Sequence, residues 1–370
     1  MDFTFTEAQN ELSALVRKIA TDLTTPERLR QVEADGTARF DRELWAALAA
    51  AGVLAAAAPS AAGGGGLGLL EQCTVLVELG RCVAPVPYLT SIAVSAGAVS
   101  EFGDIGQVQR WAVPAVSGEL LLTAALVEDL VDSPAEPVTR AQRDGSGWLL
   151  SGAKAVVPLG TLADAILVPA STDDGPRVFV VLPTDPGVVV TAQEVVDGDT
   201  EASVELASVR LAADRLIGGA GVYEWLLDRM TVGLCAQQLG VLERALELTA
   251  AYARTREQFG RPIGSFQAVA QRLADAYIDV EGVRLTMWEA AWRVAGGLPA
   301  TEEVATAKFW AADAGHRVAH TAVHVHGGTG IDLDGDVHRY FVAAKRNEFA
   351  LGSATAQLRR LGAELAASPA

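Results

Sequence analysis

The residues best suited to chemistry fall late in this 370-residue chain, where all five histidines lie between His316 and His338. His316, His320 and His324 stand at i, i+4 and i+8, which brings successive imidazoles onto one helix face within reach of a metal ion. No glutamate accompanies them in an HExxH arrangement, so the sequence expects no metal centre. His324 also opens a second feature, HVHGG, in which Gly327 and Gly328 would let backbone amides approach an anion closely. A third cluster, YARTREQFGRPIGSFQAV, gathers Arg256, Phe259 and Gln267: a cation, an aromatic face and an amide. FALGSATAQLRR reads in the opposite sense, as an active-site loop lacking its active residue, because Leu351 stands where a carboxylate would be useful.

Other candidates carry less. Four consecutive glycines, Gly63 to Gly66 in PSAAGGGGLG, could form a phosphate cradle, but no GK[ST] follows and no strand precedes them. A flexible helix-to-helix loop is the better reading. Cys73, Cys82 and Cys235 are odd in number and have no CxxC spacing, which points to buried thiols. A net charge of −17 and a pI near 4.7 argue against a nucleic-acid surface, so any contact with an anionic cofactor must be local. The start, MDFTFTEAQNELSALVRKIA, is an amphipathic helix containing acids rather than a signal peptide. No apolar run is long enough to span a bilayer, which leaves the cytoplasm as the expected location.

With 50% apolar residues the chain can bury a large core, and its periodicity divides it into three segments. Residues 1–118 are helical in pattern, with FTEAQNELSALVRKIA opening behind Thr4 and Thr6 as candidate caps. Residues 119–215 change to short β-branched runs between turn clusters such as DGSG, TDDG and TDPG. These predict a small β-barrel or sandwich, because nothing between the strands resembles the helices of parallel crossovers. Residues 216–370 return to helix. Leu239, Leu242, Leu246 and Ala250 form one stripe, and two further long helical patterns complete an antiparallel bundle of about four helices.

Helices, then a β segment, then a helical bundle is the order of an acyl-CoA dehydrogenase, and four segments carry that resemblance over essentially the whole chain. YARTREQFGRPIGSFQAV resembles the family's R-x-x-F-G…Q segment, and HVHGGTGI its Q-x-x-G-G-x-G segment. ASVRLAADRLIG is similar to the strand that leaves the β lobe, and GWLLSGAKAVVPLGTLADAILV to the W-x-L-x-G-x-K segment. In that family a carboxylate removes the proton α to a thioester while hydride leaves the β carbon for flavin N5. The resemblance implies that Arg256 binds an FAD pyrophosphate oxygen, that Phe259 packs on the cofactor, and that Gln267 bonds its ribose or phosphate region. The run His324, Val325, His326, Gly327, Gly328 would approach the adenosine-pyrophosphate half through its amides. Read singly, each has a bland alternative: Arg256 paired with Glu257, Phe259 in the core, the glycines as a helix cap.

The departures from the family pattern bear on function. Aligning LGSATAQ with the family's E-G-T-S turn puts Leu351 at the base position. The alternative seat, on the first long helix of the bundle, is Met230. Neither can take a proton, so the sequence offers no catalytic residue, with Glu348 and Asp228 as fallback candidates and Glu224 beside them. The family's T-E-P-x-x-G-S-D loop, which holds the flavin ring, is replaced by LTAALVEDLVDSPAEP, and Pro158 removes an N–H from the neighbouring I-T-x-G stretch. The half that would grip the ADP end is retained.

In this family one chain grips the flavin ring and its mate supplies the R-x-x-F-G and G-G segments. The sequence therefore resembles the partner subunits of actinobacterial two-plus-two acyl-CoA dehydrogenases acting on steroid side-chain thioesters, with FALGSATAQLRR, VHVHGG and FDRELW particularly similar. That resemblance implies FAD shared with a catalytic partner subunit, an acyl-CoA held mainly by the partner, electron-transferring flavoprotein as acceptor, and α,β-desaturation in sterol or cholesterol catabolism. Two rivals remain open: a self-sufficient homo-oligomer with a relocated base, and a flavin-free scaffold.

Overall fold

The first helix starts where its cap directs. The Thr6 hydroxyl oxygen accepts from the Gln9 amide at 3.1 Å and the Gln9 side-chain oxygen accepts from the Thr6 amide at 2.8 Å, a capping box that opens α1 (Glu7–Leu23). The computed structural model describes residues 4–34, 38–129 and 136–367. After α1 come α2 (Pro26–Ala34), α3 (Arg42–Ala50), α4 (Val53–Ala56) and α5 (Leu69–Arg81). A buried π-helical segment, Tyr88–Ala96, leads into α6 (Gly97–Phe102), α7 (Ile105–Gln107) and α8 (Val113–Val116). The glycine run before α5 is a helix-to-helix loop, but not a loose one. Amides of Gly64, Gly65, Gly66 and Leu67 donate to carbonyls of Pro59, Ala55, Ala58 and Ala56, so none is left to cradle a phosphate.

The middle of the chain is one sheet. Its strands are β1 (Leu122–Ala124), β2 (Arg140–Asp144), β3 (Gly147–Pro158), β4 (Ala165–Thr172), β5 (Gly175–Val181), β6 (Val188–Gln193), β7 (Glu201–Leu211) and β8 (Leu216–Ile217). They pair in the order β6-β7-β3-β2-β4-β5-β8, with β1 added beside β4. The β1–β4 and β2–β4 pairings are parallel although among the described residues no helix crosses between them, because the chain returns through the β2–β3 hairpin. Trp148 and Phe179 meet edge to face at 5.1 Å inside a core of Leu150, Ile166, Val168, Val204 and Val209.

The rest is helical apart from a small hairpin: α9 (Val222–Thr255), β9 (Glu257–Gln258), β10 (Arg261–Pro262), α10 (Gln267–Ala295), α11 (Thr301–His326), α12 (Val337–Phe349) and α13 (Ala354–Ala367). The expected stripe on α9 buries Leu239 and Leu242 and half-buries Leu246 and Ala250. The chain forms two compact units. A helical unit comprises Met1–Arg28, Cys73–Ala84 and Thr231–Ala370; a mixed unit comprises Leu29–Gln72 and Pro85–Met230. Among the described residues no helix is long and apolar enough to cross a membrane.

Within the helical unit α5 and α9 cross at glycines. A Cβ on Gly240 would stand 2.0 Å from the Val77 carbonyl oxygen, so only hydrogen fits there. Arg81 secures the crossing with ion pairs to Glu243 at 2.6 Å and Glu247 at 2.7 Å, and Arg284 of α10 reaches Glu243 at 2.6 Å. Gly240→Ala is expected to lower unfolding free energy by about 1–3 kcal/mol, the usual scale for overpacking. Urea denaturation of the full chain measures this, and an unchanged midpoint would contradict the contact.

Candidate cofactor and base sites

The cofactor candidates lie in the helical unit at the ends of three helices. The aromatic ring of Tyr252, one turn before Arg256, stacks on His326 at 4.3 Å, which brings the end of α9 beside the end of α11. From there the β9–β10 hairpin projects Phe259 with 93% of its surface exposed and its backbone left-handed, at φ 54°. The core reading of Phe259 is therefore excluded, and a strained apolar residue held in solvent points to a contact outside the chain. Phe266 braces the hairpin, edge-on to Phe259 at 6.2 Å and beneath the Arg261 guanidinium at 4.3 Å. The Arg256 guanidinium forms no ion pair among the described residues, Glu257 included.

Gln267 is exposed at the first position of α10, a 29-residue helix whose N-cap, Phe266, has no side chain able to cap it. The Val269 and Ala270 amides donate to the Phe266 carbonyl, which leaves those of Gln267 and Ala268, with the positive end of the dipole, for an anion. A cleft of about 460 Å³ lies at this junction, lined by Ala253, Arg254, Pro262, Ser265, Ala270 and Leu273 among others.

At the end of α11, Gly327 takes φ 65° and ψ −140°, a conformation that excludes side chains, and its amide caps the helix by donating to Val323. The cap reading is thus correct for Gly327. It does not account for Gly328, whose φ is ordinary and whose added Cβ would touch nothing in the chain; that room is open to an outside group. His324 is exposed, whereas Val325 and His326 are buried, with His326 Nδ1 2.8 Å from the Ala322 carbonyl. Any contact from those two residues to a ligand would be through backbone. Exposed cation, exposed aromatic, free helix N-terminus and open glycine turn together fit a dinucleotide's phosphate end.

The two base seats are apolar. Met230 is buried in α9, and Leu351 is half-buried with φ 54°. Its turn is held firmly. The Lys308 ammonium, fully buried, donates to the carbonyls of Asn347, Glu348 and Gly352 at 3.1 Å each. Gln357 donates to Leu351 O at 3.0 Å. Burial pushes the Lys308 ammonium down to about 8, only partly countered by Cys235 and Glu348. Sequence reasoning missed this clamp, although a lysine on the alanine-rich buried face of EEVATAKFWAADAG was its signal. Of the fallback acids, Glu348 is bound by Lys345 at 2.6 Å and Asp228 also has a partner. Among the described residues no group of three or more His, Cys, Asp or Glu is placed to hold a metal.

In the mixed unit the segment expected from the sequence to replace the flavin-ring loop bonds to its own neighbours where it is described; residues 130–135 of it lie outside the described residues. Thr123 donates its hydroxyl to Pro158 O at 2.5 Å and lies 2.9 Å from the Thr90 hydroxyl. The Leu122 amide donates to Ser91, Ala125 to Leu167, Ala155 to Val127, and Val156 to Gln193. Glu128 accepts from Lys154 at 2.7 Å and from the amides of Val138 and Thr139, tying both ends of the segment to β3. Each of these donors is engaged inside the protein.

Comparison with known proteins gives this arrangement its class. Residues 6–119 match the acyl-CoA dehydrogenase N-terminal domain model and residues 218–366 the C-terminal domain model. Acyl-CoA dehydrogenase FadE27 of Mycobacterium tuberculosis is 53% identical over 100% of both chains. The chain therefore belongs to the acyl-CoA dehydrogenase family, whose members are FAD-binding oxidoreductases acting on CH–CH bonds, and it has that family's fold: N-terminal helices, a middle sheet and a C-terminal bundle. Among solved structures it superimposes on a chain of the ChsE4–ChsE5 complex from Mycobacterium tuberculosis with a TM-score of 0.96 and 54% identity, covering 100% of each. A chain of a Tcur3481–Tcur3483 steroid ACAD variant matches with a TM-score of 0.93 and 43% identity, covering 98% of this chain and 99% of that one.

Proposed function

We propose that this chain is the FAD-completing, catalytically silent subunit of a heterotetrameric acyl-CoA dehydrogenase. The observation that carries this reading is an asymmetry between the two halves of the cofactor machinery. Groups suited to the phosphate end, Arg256, Phe259, Gln267 and the open side of Gly328, face outward, while donors of the ring segment such as the Leu122 amide and the Thr123 hydroxyl are engaged internally and the base positions expected from the sequence hold Leu351 and Met230. A chain built this way has something to give a partner's site and little to run its own.

Bound FAD would supply hydride acceptance in the partner's site. This chain's part is to neutralise pyrophosphate with Arg256 and the α10 N-terminus, to cover the cofactor with Phe259, and to let Gly328 approach it. The substrate class is a bulky acyl-CoA, with a steroid side chain suggested by the relative described as a steroid ACAD and by the resemblance in the sequence. Sterol or cholesterol catabolism in the cytoplasm and electron-transferring flavoprotein as acceptor belong to the same reading. The functional division of the chain follows residues 1–118, 119–215 and 216–370.

Flavin absorbance per chain and native mass test this, on the protein alone and after co-expression with a partner acyl-CoA dehydrogenase that carries the ring loop and a Glu base. The expected result is a colourless protein alone and about one FAD per unlike pair together. A yellow homo-oligomer that reduces its flavin with acyl-CoA would replace the reading with the self-sufficient enzyme. Glu348→Gln would then be the next variant, although its ion pair with Lys345 counts against it as a free base.

A further inference from the structure

Two groups that would meet one cofactor come from different helices: Arg256 follows the end of α9, and Gly328 lies in the turn after α11. An aromatic contact spans them. The Tyr252 ring lies on the His326 imidazole with centroids 4.3 Å apart and planes 23° from parallel. Tyr252 is half-buried and His326 is buried, so the stack lies beneath the exposed groups that it joins.

Each residue of the stack is tied to the group it would place. The Arg256 amide donates to the Tyr252 carbonyl at 2.8 Å, and the Arg256 carbonyl accepts from the Ile263 amide at 2.8 Å, which fixes the root of the guanidinium from both sides. On the other helix His326 Nδ1 lies 2.8 Å from the Ala322 carbonyl. A carbonyl only accepts, so this nitrogen carries a proton and the bond sets the ring's orientation. The turn then folds over His326. The Thr329 hydroxyl donates to the His326 carbonyl at 2.9 Å, and a Cβ on Gly330 would stand 3.1 Å from His326 Cβ.

We propose that Tyr252 and His326 are positioning residues: their stack sets the span between the Arg256 guanidinium and the Gly328 turn, so that both are in place before a dinucleotide pyrophosphate arrives. This placement rests on the cofactor role proposed above for Arg256 and Gly328. Neither ring needs to touch the cofactor. The physical reason is preorganisation: holding two separate elements to one ligand costs ordering entropy at binding unless the protein has already ordered them. Flat rings suit the task, because each turns about only two torsions and stacks over a narrow range of separations.

FAD affinity of the co-expressed pair, read from flavin fluorescence on dilution, tests this in a double-mutant cycle. Tyr252→Leu should weaken FAD by about 3–10-fold, the scale of one aromatic pair, whereas Tyr252→Phe, which keeps the ring, should bind as the wild type does. In an Arg256→Ala background the same Tyr252→Leu change should weaken binding by less than about 2-fold, because one of the two groups that the stack aligns is gone. A ring that merely supported the fold would weaken FAD by the same factor in both backgrounds. In this chain alone, without flavin, hydrogen exchange at residues 327–331 should quicken in Tyr252→Leu and not in Tyr252→Phe. Should Tyr252→Leu not fold, His326→Leu takes its place. An equal loss in both backgrounds, wild-type affinity in the leucine variant, or exchange that stays unchanged overturns the positioning role while leaving the cofactor reading intact. Full FAD retention in Arg256→Ala alone overturns both.

Discussion

Arg256→Ala, made in the co-expressed pair, is expected to weaken FAD binding by about 10–150-fold, the equivalent of one charge-assisted hydrogen bond of about 1.5–3 kcal/mol. The guanidinium is exposed and has no ion pair among the described residues, so its removal costs the chain itself little. Unfolding of this chain alone should therefore be unchanged within about 0.5 kcal/mol, while flavin fluorescence shows cofactor leaving the pair on dilution. Arg256→Lys should fall between the two, keeping charge but losing the planar fork. Full FAD retention in the alanine variant would remove Arg256 from the cofactor's partners and would favour the scaffold reading.

What could be read from the sequence divides along physical lines. Local signals were legible: Thr6 caps α1, the α9 stripe is buried at Leu239 and Leu242 and half-buried beyond, and the turn clusters separate real strands. So were the segments whose types match a family, because motif and spacing survive without coordinates. Three things were not. The glycine run is a loop as expected, yet its amides are tied to carbonyls between Ala55 and Ser60, since a run of glycines signals conformational freedom and not which carbonyls lie nearby. In β3, simple alternation fails because register shifts between Leu150 and Gly152 and between Lys154 and Val157 turn Val156 outward at φ 50° while Lys154 points in. The Lys308 clamp depends on how α11 meets α12 and the turn after it, a pairing that no periodicity within one helix encodes.

Lys154→Met is the substitution expected to cost most, about 3–5 kcal/mol, because it leaves the Glu128 carboxylate buried without its cation. The side chains are 1% and 7% exposed and the ion pair is 2.7 Å long, so solvent can replace neither partner. Burial alone would push the Glu128 carboxyl up; the Lys154 hydrogen bond and charge, the Thr139 hydroxyl and the Val138 amide outweigh it and hold the group below the usual range. Its contribution to stability is therefore present above the ordinary carboxylate pKa and lost as pH falls through the lower folded value. Removing Lys154 reverses this balance, so the variant's carboxyl should take a proton at higher pH. The deficit in unfolding free energy should then be largest near neutrality and shrink toward about pH 4. Lys154→Met with Glu128→Gln removes both charges while keeping an acceptor for the Val138 and Thr139 amides, and should recover most of the loss. Urea denaturation across pH measures all three chains; a deficit that is independent of pH would mean that packing, not the orphaned charge, sets the cost. The same pair fastens both ends of the segment that stands where the family holds the flavin ring. Lys154 closes this segment onto β3 with donors already spent on Glu128, so under the proposed function the contact that stabilises this chain also removes a donor from its own ring segment.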